Sequence, residues 1–316
     1  MPVVSSAYKS PFYLFNAHLQ TVVPSIFRKV PGTYQRERLE LPDGDFMDLD
    51  WITHQRNKLV IISHGLEGNS ERHYAKGMAA HFVANGWDAL AWNCRGCSGE
   101  MNRLPRFYHH GATEDLAAIV NYAINKHYEH IVLVGFSMGG SMTLKYLGEQ
   151  TRSAIVKCAI AFSVPCDLGS SAAELDKPGN TFYLKRFLKK LELKIRAKAI
   201  QFPHLLSASG FETITSFREF DTRYTAPLHG FADANDFYTR ASCNPFLNAI
   251  QIPVLLINAQ NDPFLPQSCY PIDIAKAHPY LSLEMPAFGG HVGFSLYGKT
   301  NWMEIRALEF ANSIKS

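Results

Sequence analysis

The stretch HIVLVGFSMGGSMTLKYLGEQ, residues 130–150, passes from an apolar, β-branched run to a helix-periodic one through Gly135-Phe136-Ser137-Met138-Gly139-Gly140. Glycine weakens a strand, because it costs backbone entropy and gives no side chain to pack. Three glycines around one serine therefore answer a steric demand. A strand that turns at once into a helix holds the residue at the turn under strain, and glycines two positions either side let both backbones approach without a Cβ clash. The pattern G-x-S-x-G in this setting pushes the serine hydroxyl outward. The new helix aims unpaired N–H groups at any anion forming beside it.

The rest of the chain supplies a matching frame. Apolar runs begin at Lys58 (KLVIISHG), Trp87 (WDALAWN), His130, Val156 (VKCAIAFSV), Ile252 (IPVLLINA) and Leu281 (LSLEMPA). Helix-periodic segments lie between them, at Tyr74–Asn85, Glu114–Lys126, Gly139–Glu149 and Asn301–Ile314. That alternation predicts an α/β fold with a mostly parallel sheet. Pro42-Asp43-Gly44 supplies turn chemistry for an opening hairpin. The alternation fails over 168–240, where no strand-like run occurs and the composition turns aromatic and basic. There Tyr183, Leu184, Phe187, Leu188 and Leu191 share a helical face, with Lys185, Arg186, Lys189 and Lys190 on the other side. A loop this long without structure is unusual in a compact domain. The reading is a core domain of residues 1–167 and 241–316, with 168–240 inserted as a helical lid whose basic face is solvated and gives at most weak peripheral membrane contact.

Bulk composition excludes several classes. The 316 residues are 47% hydrophobic and 19% charged with a net charge of +3, too balanced for a dedicated nucleic-acid binder. The N-terminal stretch lacks the basic and apolar regions of a signal peptide, and no run of about 18 apolar residues occurs. A cytoplasmic location follows as the expectation. Cys94 and Cys97 form a C-x-x-C, but no second cluster completes a zinc site. No metal or cofactor is called for.

A serine nucleophile needs a base, and the base an orienting acid, in the chain order Ser, Asp or Glu, His for this kind of fold. Two late histidines compete. His278 in KAHPY reads as a helix-end residue, whereas His291 in FGGHVGF follows the last strand among Gly289, Gly290 and Gly293. His291 is the base. Asp262, just past the run IPVLLINA and held extended by Pro263, is favoured as the acid over Asp167, which also ends a strand and has a turn or helix cap as its ordinary fate. The oxyanion donors are the N–H groups of Met138 and Leu66, with Gly65 the less favoured alternative to Leu66. His64 is assigned to shaping that loop and Arg95 to an ion pair bracing the next one. Glu67 has no assigned role beyond capping or solvating its loop.

NAHLQT, HGLEG, NCRGCSGE, GFSMGG, FREFDTRYTAPLHGF, NAQNDPF and GGHVGF, spread over nearly the whole chain, resemble the YheT-like branch of the α/β-hydrolase superfamily, the AB hydrolase 4 family. The NCRGCSGE and FREFDTRYTAPLHGF segments are the more specific part of the match. Ala17 stands where the family often has Gly, at a point that reads as remote from the chemistry. The resemblance implies an α/β-hydrolase fold and the triad Ser137, Asp262 and His291. It also implies a carboxylesterase or lipid hydrolase, and the reading is a cofactor-independent serine carboxylesterase acting on small-molecule esters of short- to medium-chain acids, lipid esters among them. The alternatives are an alcohol acyltransferase with the same triad, and a ligand-binding protein that keeps the fold without turnover.

Overall fold

The expected apolar runs, that at Leu281 excepted, alternate their side chains between two cores. Leu59 and Ile61 face one cluster and Val60 and Ile62 the other, the period of two that a sheet covered on both faces imposes. The computed structural model describes residues 3–149 and 153–314. The expected core segments are therefore covered except for residues 1, 2, 150–152, 315 and 316, which lie outside the described residues.

The first half contains β1 (Val3–Val4), α1 (Ala17–Phe27), β2 (Gln35–Glu40), β3 (Phe46–Ile52), β4 (Lys58–Ser63), α2 (His73–Ala84), β5 (Asp88–Asn93), α3 (Thr113–Asn125), β6 (His130–Phe136) and α4 (Met138–Glu149). After β7 (Val156–Phe162) come α5 (Leu168–Leu175), α6 (Thr181–Gln201), α7 (Phe217–Phe220), α8 (Ala226–His229) and α9 (Ala234–Ala241). The chain returns to the sheet with β8 (Val254–Ile257), α10 (Ile272–Ala277), β9 (Leu281–Glu284) and α11 (Trp302–Ser313). The sheet order is β1-β9-β8-β7-β6-β4-β5-β3-β2. β3 runs antiparallel to β2 and β5, and all other pairs are parallel. The expected hairpin is β2–β3, closed by Gly44 N–H donating to the Leu41 carbonyl at 3.0 Å.

α2 and α11 cover one face, α3, α4, α6 and α7 feed the other core, and α9 packs with Leu168 of α5 in a separate small cluster. Because β4, β6, β7, β8 and β9 are parallel, their C-terminal ends share one edge, where ligands bind in open α/β sheets. No strand interrupts α5–α9, as the sequence predicts. Arg95 is the expected brace, with its guanidinium 2.8 Å from Asp115 and 2.9 Å from Asp45. The basic face of α6 needs correction. Lys185, Arg186 and Lys189 are exposed, but Lys190 is half-buried and donates to the Glu67 carbonyl at 3.0 Å, and Lys194 and Lys198 are buried. Helical spacing marks which side chains are apolar. It does not show that the long stem of a lysine can carry its ammonium inward to a partner. Among the described residues no helix is long and apolar enough to cross a membrane.

Candidate active site

β6 ends at Phe136, α4 starts at Met138, and Ser137 between them has a φ of +52°. Left-handed backbone is costly for a non-glycine residue and persists where the surroundings impose it. Here Ser137 N–H donates to Phe162 O at 2.8 Å, and the Ser137 carbonyl takes the Ser141 N–H at 3.0 Å. The flanking glycines do what the sequence asks of them. A Cβ on Gly135 would stand 2.5 Å from Gly139 O, and one on Gly139 would overlap Ser63 O.

Three side chains from three strand ends form one hydrogen-bonded chain. Ser137 Oγ lies 2.9 Å from His291 Nε2, and His291 Nδ1 lies 2.9 and 3.1 Å from the two Asp262 carboxylate oxygens. With Nδ1–H donated to Asp262, Nε2 is left to accept from the serine hydroxyl. Asp262 is nearly buried, and its Oδ1 also accepts the Phe264 N–H at 2.9 Å. The Phe264 ring lies against the imidazole, 4.2 Å between centroids. The rivals fall elsewhere: Asp167 caps α5 by accepting from Ser170 N–H, and His278 ends α10.

The loop after β4 is equally constrained. The Gly65 N–H donates to the Tyr74 hydroxyl at 3.1 Å, so it is already engaged. The Gly65 carbonyl accepts from His64 Nδ1 at 2.8 Å and from Gly68 N–H at 2.9 Å. In a trans peptide the next N–H, that of Leu66, points the opposite way. His64 Nε2 accepts the Cys94 N–H at 3.1 Å, and burial pushes this imidazole down to about 4, so it stays neutral. His64 is thus the loop-shaping residue the sequence suggests.

Glu67 is more than a loop cap. It has a φ of +51°. Its carboxylate takes Lys194 Nζ at 2.8 Å and the Tyr108 hydroxyl at 2.5 Å, while its carbonyl takes Arg72 and Lys190, each at 3.0 Å. These contacts tie the loop to α6.

Sequence reasoning missed the brace behind His291. Buried Gln20 on α1 accepts from Gly289 N–H at 2.8 Å and Asn261 Nδ2 at 2.9 Å. Thr21 Oγ1 accepts from His291 N–H at 2.9 Å, and Ser163 Oγ from Val292 N–H at 2.9 Å. Val292 and Phe294 carry φ values of +54° and +41°, so the loop is held in a conformation it would not choose. Ala17 is not remote from this site, since its carbonyl packs beneath Gly290, 2.8 Å from where a Cβ would stand. The available signal was NAHLQT itself, a polar motif at a helix start with no role.

Two cavities meet at Ser137 and His291. One, about 120 Å³, is polar on one side, with Arg72, Tyr74, Tyr183, Arg186 and Lys190 in its wall. The other, about 70 Å³, is walled by Leu168, Leu175, Phe187, Phe217, Phe237 and Leu265.

A parallel-centred sheet with a serine at the β6–α4 turn, hydrogen-bonded through histidine to aspartate at neighbouring strand ends, defines the α/β-hydrolase class. The family model for the alpha/beta hydrolase fold matches residues 58–295. This chain belongs to that family, in the branch that contains YheT of Escherichia coli K12, to which it is 35% identical over 92% of this chain and 88% of YheT. It is 31% identical to mouse phospholipase ABHD3 over 93% of this chain and 74% of that protein. Among solved structures, the Pyrococcus furiosus esterase Pf2001 superposes with a TM-score of 0.57 at 19% identity, covering 91% of this chain and 97% of that one, a likeness of fold.

Proposed function

We propose that this chain is a serine carboxylesterase. The carrying observation is the unbroken Ser137–His291–Asp262 hydrogen-bonded chain at the mouth of two cavities. His291 takes the proton of Ser137 as the hydroxyl oxygen attacks the ester carbonyl. Met138 and Leu66 N–H groups hold the oxyanion, and Asp262 stabilises the imidazolium. His291 then protonates the leaving alcohol. Water, deprotonated by the same imidazole, releases the acid and restores the serine. The engaged Gly65 N–H supports Leu66 as the second donor.

The apolar cavity supports a short to medium acyl chain, and 168–240 acts as its lid, since Leu168, Leu175, Phe187, Phe217 and Phe237 wall that cavity. The names of the relatives, an esterase by attribution and a phospholipase, support ester bonds of lipids as the substrate class. Free thiols at all six cysteines support a cytoplasmic location, and exposed Phe182 beside Lys185 supports weak peripheral contact with lipid through α6.

The test is hydrolysis of p-nitrophenyl esters from acetyl to palmitoyl, with fluorophosphonate labelling. Ser137→Ala should fold, lose the label, and lose turnover by about a thousandfold or more. A folded Ser137→Ala protein with near-normal rates would remove the esterase reading.

A further inference from the structure

The wall of the polar cavity holds three cations, Arg72, Arg186 and Lys190, and among the described residues it holds no carboxylate. One neighbouring carboxylate, Glu67, offsets their charge in part. Glu67, the nearby acid, is engaged by Lys194 at 2.8 Å and gives Arg72 and Lys190 its carbonyl instead. Arg186 makes no hydrogen bond or ion pair among the described residues. Burial, then repulsion from Arg72, pushes the half-buried Lys190 ammonium below its ordinary value against the pull of Glu67, and Arg186 adds a smaller repulsion.

Three like charges gathered in a cleft around one carboxylate that Lys194 already holds are costly to the fold and favourable to an anion. The same wall adds the Ser25 hydroxyl, a donor of the kind that anions take alongside guanidinium and ammonium. The apolar cavity has the character of hydrocarbon. In an acyl-enzyme cycle the alcohol half departs and water must enter where it left, so the polar cavity belongs to the alcohol half.

The geometry points to an alcohol-side anion subsite formed by Arg72, Arg186 and Lys190, which selects esters whose alcohol carries a phosphate or carboxylate. This rests on the esterase reading above. The subsite holds the group through charge-assisted bonds, with Arg186 as the free fork and Lys190 as the deeper point charge.

The experiment compares four butyrate-sized esters at low and high NaCl: 1-butyrylglycerol, 1-butyrylglycerol 3-phosphate, 3-(butyryloxy)propanoate and 1-hemisuccinylglycerol. Acid release gives kcat/KM. The two esters with an anion on the alcohol should exceed neutral 1-butyrylglycerol by about tenfold at low salt, chiefly through KM, and lose that lead as salt screens it. A lead confined to the phosphate names a phosphate site, and one shared with the carboxylate names a general anion site. Arg186→Gln should shrink the anionic-to-neutral ratio several-fold. Lys185→Gln and Lys189→Gln remove the same charge from exposed positions outside the wall and should leave the ratio in place. Equal kcat/KM for neutral and anionic alcohols, a lead for the hemisuccinate alone, or an equal effect of all three substitutions would overturn the subsite. A protein that hydrolyses none of the four and takes no fluorophosphonate label would overturn the esterase reading instead.

Discussion

Asp262 and Asp167 both end a strand, yet their surroundings give them different work. Asp262 meets His291 with both oxygens, whereas Asp167 holds the first turn of α5. Asp262→Asn keeps the shape and favours the wrong imidazole tautomer, so kcat should fall by about 10⁴. Asp167→Asn should cost at most about 1 kcal/mol of stability, the worth of a cap, with kcat nearly kept. Measuring kcat on both folded variants with one activated ester settles it, and the reverse outcome would transfer the acid role to Asp167. At this scale the sequence was readable where chemistry demands a fixed neighbour, as at Ser137 within its glycines. It was unreadable at Glu67, because nothing local to HGLEG announces a lysine more than a hundred residues away.

Strands were the legible elements, since a sheet buried on both faces leaves continuous apolar runs at β4 through β9. α1 was not legible as part of the site. Its polar side chains look like surface, and the N–H groups they receive belong to a loop that sequence alone cannot bring near. Gln20 takes the Gly289 N–H and the Asn261 amide while giving its own N–H groups to Leu14 O at 2.7 Å and Ser10 Oγ at 3.2 Å. Gln20→Leu strands several of these buried groups, each costing about 1–3 kcal/mol. It should lower kcat about tenfold or more through a loosened His291 loop, with a smaller change in KM. An unchanged kcat in a variant of lowered Tm would make α1 a stabilising element alone.

Across the whole molecule, histidines dominate the response to acid. Burial pushes His64, His110 and His229 down to about 4, His73 to about 3, and His109 well below its ordinary value. As pH falls below about 6.5 the unfolded chain protonates these imidazoles before the folded one does. Stability is therefore intact above pH 6.5 and falls toward pH 4, by up to about 1.4 kcal/mol per pH unit for each group. Asp221, pushed up to about 6 by burial, works in the opposite sense, and Asp115, Asp176 and Glu304 are raised likewise. The five imidazoles prevail because each must acquire a charge at a desolvated position. Urea midpoints should drop steeply from pH 7 to pH 5, and a flat profile would contradict the burial of these rings. One clasp reaches further than stability. β1 pairs with β9, and Gln20 and Thr21 hold residues 269 and 270 positions later. During synthesis at about 5–20 residues per second, α1 waits roughly 15–50 s for its partner to be made. Ribosome-arrested chains ending at Leu283, which lack His291, should take no fluorophosphonate label although Ser137 has long emerged, and released chains of residues 1–316 should take it. Labelling of the arrested chain would refute the order. Hydrolytic competence then waits for His291 to be made, so a nascent copy short of that residue is chemically silent on the ribosome.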